Sequence, residues 1–246
     1  MAGVRFDDIE NAFHFVSASP YGTSAAYLNV ETGEIFYQSE MTGIDELKKV
    51  KESYKYESVY PLFMTFKAVE MVAELMALSA RTAPKGRGQD SIVIRIVTGK
   101  EMAELSKELR RLGEARGIKF FLRDAGNLEK SDACLLLGSK AADSVGLDCG
   151  GCGYRACKEM HEAQKAFREN EPEKPFHGPN CVIKITDLGI ALGSAAKTAS
   201  LHNVDNRVMF TAGVAALSLN WLEGCSVAYG LPLKASGKSI YFDRPV

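Results

Sequence analysis

The 246-residue chain has almost no net charge: 30 Lys and Arg stand against 31 Asp and Glu, leaving −1. Nothing in that balance points to nucleic acid or to an anionic membrane surface. A long uninterrupted apolar run is also missing. The most apolar stretch, Val59 to Ala80, is broken by Lys67, Glu70 and Glu74, so it reads as a buried or amphipathic helix rather than a membrane span. The opening "MAGVRFDDIE" carries acids where a secretory signal has a basic region and an apolar core. There is no internal repeat and no low-complexity segment. No Ser–His–Asp ordering, Walker-type glycine loop or pair of catalytic carboxylates can be picked out either. These absences leave a cytoplasmic protein with no nucleic-acid and no membrane partner as the expectation. With 46% hydrophobic residues the chain has ample material for a core.

What the sequence does have is cysteine in an unusual arrangement. Three of its six cysteines, Cys149, Cys152 and Cys157, fall within the stretch "CGGCGYRAC", and a fourth, Cys181, follows in "HGPNCVIKITD". In a reducing compartment such clustering points to metal before disulfides. Four thiolates, with local Cys-x2-Cys and Cys-x4-Cys spacing, suit an iron–sulfur cluster wrapped by a tight loop. Gly150, Gly151 and Gly153 would allow left-handed backbone and let amide N–H groups approach the sulfides. Pro179 would stiffen the approach of Cys181. A zinc site is the competing reading, but its ligands usually arrive as two separated pairs rather than three plus one; redox-active or merely buried thiols are a further one. The order Cys-x2-Cys-x4-Cys reverses the plant-type [2Fe–2S] run and favours [4Fe–4S]. Cys134, inside "ACLLLG", reads as a small core residue, and Cys225 has no clear role. His161, one helical turn beyond Cys157, and His177, on the way to Cys181, are placed to tune a cluster by hydrogen bonding, though both also read as ordinary surface residues.

Along the chain, residues 1–58 read as a small appendage and 59–246 as the main domain. In the appendage, Phe6, Ile9, Phe13 and Val16 follow helical spacing, and "AAYLNVETGEIFYQS" alternates around Thr32-Gly33 as a hairpin. The helix and hairpin resemble a small uncharacterised bacterial family with an "AFxFV" helix and a "YLxxETGEI" hairpin. In the main domain, "FKAVEMVAELMALSAR" is apolar round most of its circumference and predicts a buried helix. "SIVIRIV", "IKFFLR" and "ACLLLG" predict strands. "KEMAELSKELRRLGEARG" places Met102, Leu105, Leu109 and Leu112 on one helical face, with Gly117 at its end. Further helices are expected near 154–168, 186–200 and 207–222, with Asp205 or Asn206 capping the last and Arg207 available for an ion pair. The fold class is therefore α/β (α+β).

The strings "SARTAPKGRGQD", "CGGCGYRAC", "GPNCVIKITDLGIALGSAAKTA", "NVDNRVMFTAG" and "GKSIYFDRP" occur in order. From about residue 65 to 246 the chain resembles a family of uncharacterised prokaryotic ferredoxin-domain proteins. That resemblance implies a [4Fe–4S] site at Cys149, Cys152, Cys157 and Cys181 and an electron-transfer or redox role. The turn "ARTAPKGRG", the small-residue helix "DLGIALGSAAKTAS" and "GLPL" at 230–233 are similar to features of the nitroreductase fold. This second likeness implies a mixed sheet flanked by helices, a homodimer, and FMN in a groove between subunits, with Arg81, Lys85 or Arg87 at its phosphate. The Arg-x-Ser-x-Arg element that such proteins carry for the phosphate is missing from "YPLFMTFKAVEMV". Beside a cluster protein serving a redox partner or small-molecule substrate stand two alternatives: an FMN-dependent oxidoreductase with an accessory cluster, and a non-catalytic module stapled by metal.

Overall fold

The structure is a computed structural model that describes residues 13–18, 25–29, 35–37 and 59–242, with side chains from residue 66 onward. The chain divides into two compact units, Met1–Lys67 and Ala68–Val246.

The first unit contains β1 (Phe13–Ala18), β2 (Ala25–Asn29) and β3 (Ile35–Tyr37), paired antiparallel in the order β1-β2-β3. The pairing Tyr27↔Phe36 and Leu28↔Ile35 is the hairpin expected on either side of Thr32-Gly33. The helix expected through Phe13 and Val16 is replaced by a strand, which pairs Phe13 with Asn29 and Phe15 with Tyr27. Phe13, Phe15 and Val16 are aromatic or β-branched residues that fit a pleated surface once a partner edge exists. The earlier half of that expected helix, from Phe6, lies outside the described residues.

The second unit is built on a four-stranded sheet: β4 (Ile92–Thr98), β5 (Ala133–Ser139), β6 (Asp205–Asn206) and β7 (Val227–Lys234), in the order β4-β5-β7-β6. Its helices are α1 (Val59–Thr82, which begins in the first unit), α2 (Gly99–Arg116), α3 (Lys119–Glu129), α4 (Cys157–Asn170), α5 (Val182–Leu201) and α6 (Phe210–Ser218). All paired strands are antiparallel, not mixed. Between β4 and β5 the chain runs through two helices rather than one, so it returns in the opposite direction; a single crossover helix would give a parallel pair.

β5 lies at the centre and is buried at every position. Strand alternation sends Leu135 and Leu137 into one core with Val69, Met76 and Leu188. Cys134 and Leu136 point into the other with Leu105, Leu109 and Phe121. Each such leucine contributes about 1.5–3 kcal/mol of transfer free energy. Two glycines let α6 lie directly on β7. A Cβ on Gly213 would stand 2.0 Å from the Ala228 carbonyl oxygen, and one on Gly230 would stand 2.7 Å from the Ala212 Cβ.

α2 buries Met102, Leu105, Leu109 and Leu112 and ends at Gly117 in the left-handed region, φ 65°, as expected. "IKFFLR" differs: residues from Lys119 form α3, not a strand, and bury Phe121, Ala125 and Leu128 at helical spacing. "NVDNRV" also differs. Asp205 and Asn206 pair with Lys234 and Leu233 as β6, and α6 begins five residues after Asp205, with no side-chain cap. There the Met209 N–H and C=O bond to Gly230 across the sheet, so tertiary pairing takes the groups a local cap would have used. Arg207 does form an ion pair, with the buried Asp124 at 3.8 Å. α1 is buried on one side only: Val69, Val72, Ala73 and Met76 are covered, but Met71 is 63% and Leu78 59% exposed. Among the described residues no helix is long and apolar enough to cross a membrane.

Candidate metal centre

Cys149, Cys152, Cys157 and Cys181 all line one small pocket, with about 10 Å3 of enclosed free space. All six cysteines are free of disulfides. Cys149 is exposed, Cys152 and Cys157 are half-buried, and Cys181 is buried, so the sulfurs run from rim to floor. Val145, Met160 and Cys181 form a small apolar floor, with Tyr154 and Ile183 packed against it. Among the described residues, no three His, Cys, Asp or Glu side chains stand close enough together to hold a metal ion.

The loop "CGGCGYRAC" folds as it does because its glycines permit it. Gly150 and Gly153 adopt φ +71° and +87°, which side-chain-bearing residues rarely tolerate, and the Gly153 N–H closes a turn on the Gly150 carbonyl at 2.9 Å. Gly151 is needed for closeness: a Cβ there would stand 2.6 Å from Val182 Cγ1 and 3.7 Å from Cys149 Sγ. The loop is thus pressed against the first residue of α5, beside Cys181.

Two of the four sulfurs sit at helix starts. Cys157 is the first residue of α4 and Cys181 is the N-cap of α5. The first intrahelical bond of α5 is Ile185 N–H to the Cys181 carbonyl at 3.0 Å, which leaves the amides of residues 182–184 without an intrahelical acceptor. Cys181 itself is anchored through its own N–H to the Ala141 carbonyl at 2.8 Å. The N-terminus of α5 thus presents positive potential beside Cys181, whereas the start of α4 is met by the Asp148 carboxylate.

Asp148 is a residue the cysteine spacing does not reveal. Its Oδ1 accepts the Cys157 N–H at 2.7 Å, and that bond holds its carboxyl below the usual carboxylate range. Asp148 thereby caps α4 from across the loop, at a left-handed φ of 46°. The signal lay in what the helix start lacks: the N-cap is Ala156, which has no side-chain acceptor of its own. His161 braces the same wall, because its Nε2 accepts the N–H of Ser144 at 3.1 Å. His177 does not line the cysteine cavity; its carbonyl accepts from Asn180 Nδ2 at 3.1 Å. Cys134 is fully buried in β5, and burial drives its thiol well above the ordinary range. Cys225 stands apart from the other sulfurs; burial, partly offset by Lys140, pushes its thiol up to about 11.

The basic turn after α1 is already engaged. Arg81 pairs with Asp90 and also donates to the Ile92 carbonyl at 2.9 Å. Lys85 Nζ donates to the carbonyls of Ala80 and Arg81 at 2.8 and 2.6 Å, closing the C-terminus of α1. Arg87 reaches the cysteine cavity instead: its Nη1 donates at 3.0 Å to the carbonyl of Val145. Gly86 packs so closely on α5 that a Cβ would stand 2.4 Å from Ile183 Cγ2, and its N–H bonds Asp187 Oδ1 at 2.9 Å.

The chemistry of the donors suits an iron–sulfur cluster: four cysteines lining one pocket, with Cys181 at the N-terminus of α5. The family model described as "Uncharacterized protein containing a ferredoxin domain" (DUF2148) matches residues 177–244, which include Cys181. A protein of Archaeoglobus fulgidus is 44% identical over 176 residues, 72% of this chain and 91% of the relative. Among solved structures, nitroreductase CinD from Lactococcus lactis in complex with nicotinic acid matches at 12% identity and a TM-score of 0.45, over 74% of this chain and 95% of that one. A nitroreductase with bound FMN from Desulfitobacterium hafniense matches at 13% identity and a TM-score of 0.42, over 72% and 82%. With its cysteines, its ordered motifs and a near-full-length relative in accord, the chain belongs to the family of uncharacterized proteins containing a ferredoxin domain.

Proposed function

We propose that this protein is a cytoplasmic iron–sulfur protein that holds one [4Fe–4S] cluster on Cys149, Cys152, Cys157 and Cys181 and works in electron transfer. What supports this reading is that Cys149, Cys152, Cys157 and Cys181 are among the residues lining one small pocket. Such a cluster supplies a one-electron couple whose potential the surrounding protein tunes. The chain's part is to supply the four sulfurs, to set Cys181 at the N-terminus of α5, and to line the floor with Val145 and Met160.

A homodimer fits the same reading. Met71 and Leu78 leave an apolar stripe on α1, and Ser79 of α1 hydrogen-bonds Thr198 of α5 at 2.7 Å, so the two helices form one face with Ile190 and Leu201 also exposed. A patch of this kind marks an interaction site more often than chance exposure. Flavin is the second reading. What weighs against it is that Arg81, Lys85 and Arg87 are each committed to a neighbour rather than converging on an open space for the phosphate.

Anaerobic purification followed by iron, sulfide and flavin quantification, with EPR of the dithionite-reduced protein, tests the proposal. Near four irons and four sulfides per chain, lost in Cys181→Ser, is the expected result. Stoichiometric zinc without iron would overturn it, and one flavin per chain would move the protein to the second reading.

A further inference from the structure

Residues of α2, α4 and α6 line a wide groove of about 1760 Å3, open mouth included. Its lining is mixed: Leu112, Val214 and Leu222 supply buried apolar surface, and the carboxylates Glu173 and Glu223 stand among the polar residues. Around this surface stand cations from three elements, Arg116 of α2, Arg168 of α4 and Lys174 of the loop after α4. They are not equally committed. Lys174 lies 3.6 Å from Glu171 and 3.9 Å from Glu173, and Arg116 uses one nitrogen on the Glu173 carbonyl. Arg168 has no hydrogen-bond or ion-pair partner among the described residues. In the same groove, His177 Nε2 is buried with no hydrogen-bond partner. A buried imidazole nitrogen left unsatisfied is unfavourable unless a ligand or water completes it.

We propose that this groove binds a small organic anion, its carboxylate or phosphate held by Arg168 and Arg116 and a further polar group meeting His177 Nε2. Guanidinium forks suit both kinds of oxyanion, and Leu112, Val214 and Leu222 offer apolar surface to the carbon skeleton. The groove also has a particular neighbour. Gln164 lines the groove and Met160 lines the cysteine cavity, one turn apart on α4, which is about 5.4 Å of helix. Ala142 and Ser144 repeat the relation on the loop after β5. An anion seated here lies one layer of protein from the centre; that it exchanges electrons with the centre rests on the iron–sulfur reading, whereas its binding does not.

Calorimetric titration of the intact chain with citrate, inorganic pyrophosphate and glycerol tests the inference, carried out with and without iron. Saturable binding of citrate or pyrophosphate but not of glycerol is expected, weakened about tenfold or more by Arg168→Ala and unchanged by Lys158→Ala. Binding of citrate alone assigns a carboxylate ligand, and of pyrophosphate alone a phosphate. Arg168 is exposed and unpartnered, so its removal leaves the fold intact. No saturable binding of either anion, or binding indifferent to Arg168→Ala, overturns the groove assignment. If the chain carries no iron yet binds the anion, the iron–sulfur reading fails and the groove stands.

Discussion

Cys134 and Cys157 are the same side chain in opposite surroundings. Cys134 is sealed inside β5, between Leu136 and the helices above it, and burial holds its thiol protonated. Cys157 stands half-buried at the start of α4, its N–H fixed by a carboxylate across a glycine loop. The contrast extends to the regions around them. The sheet and its helices are held by two large apolar clusters. The cysteine corner has one small apolar cluster, Val145, Met160 and Cys181, with a few neighbours. A region with so little apolar burial leans on turns, caps and whatever its sulfurs hold, and thiolate–metal bonds contribute directly to local folding in such places.

Two glycine substitutions would sharpen that comparison, and Gly213→Ala has the larger expected effect. The new Cβ would stand 2.0 Å from the Ala228 carbonyl oxygen and 2.5 Å from the Tyr229 nitrogen. Both are backbone atoms of β7, which cannot move without breaking the ladder to β5. A loss above about 3 kcal/mol, read as failure to fold or a collapsed denaturant midpoint, is expected. Retention of wild-type stability would mean that α6 is not seated on β7 as described.

Gly151→Ala is the corresponding change in the corner. Its Cβ meets a side chain, Val182 Cγ1 at 2.6 Å, and Val182 is partly exposed and able to turn. Global stability should fall by only about 1 kcal/mol, while iron is retained less well on exposure to oxygen or chelator. Equal losses of stability in the two variants would erase the distinction between core and corner.

Much of this division was legible from residue patterns, and the exceptions are instructive. The buried face of α2 and its Gly117 terminus follow directly from spacing. Cys149, Cys152, Cys157 and Cys181 are among the residues lining one pocket, and the glycine-rich spacing of the first three keeps them on one loop. α3 was misread because "IKFFLR" ends before the pattern declares itself: Phe121, Ala125 and Leu128 show the helical period only when the segment continues beyond Arg123. β6 was misread because Asp205 and Asn206 find their partners at Lys234 and Leu233, far along the chain, where no local signal reaches. The cap that Asp148 gives α4 and the reach of Arg87 to Val145 are tertiary contacts of the same kind. α1 presented apolar residues all round, yet sequence alone could not say which side the sheet would cover.

The smallest expected effect lies within the core unit and concerns charge. Glu129 of α3 accepts from Arg110 of α2 and from the buried Ser106 hydroxyl at 3.0 Å, so it ties together the two helices that reverse the chain between β4 and β5. The Arg110 hydrogen bond, ahead of the burial that opposes it, holds the Glu129 carboxyl below its ordinary 4.5. A carboxylate whose folded value is depressed adds stability that is fully present above the unfolded value and is lost as pH falls through the folded one. Glu129→Gln should therefore be slightly less stable than wild type in urea at pH 7, by an amount typical of exposed ion pairs. The gap should close as the pH drops below 4.5, because wild-type Glu129 then becomes protonated and neutral as well. The same substitution should leave iron retention untouched, since α2 and α3 contribute nothing to the cysteine cavity. A gap that widens in acid would show that Glu129 is held neutral in the folded chain and that Arg110 does not govern it.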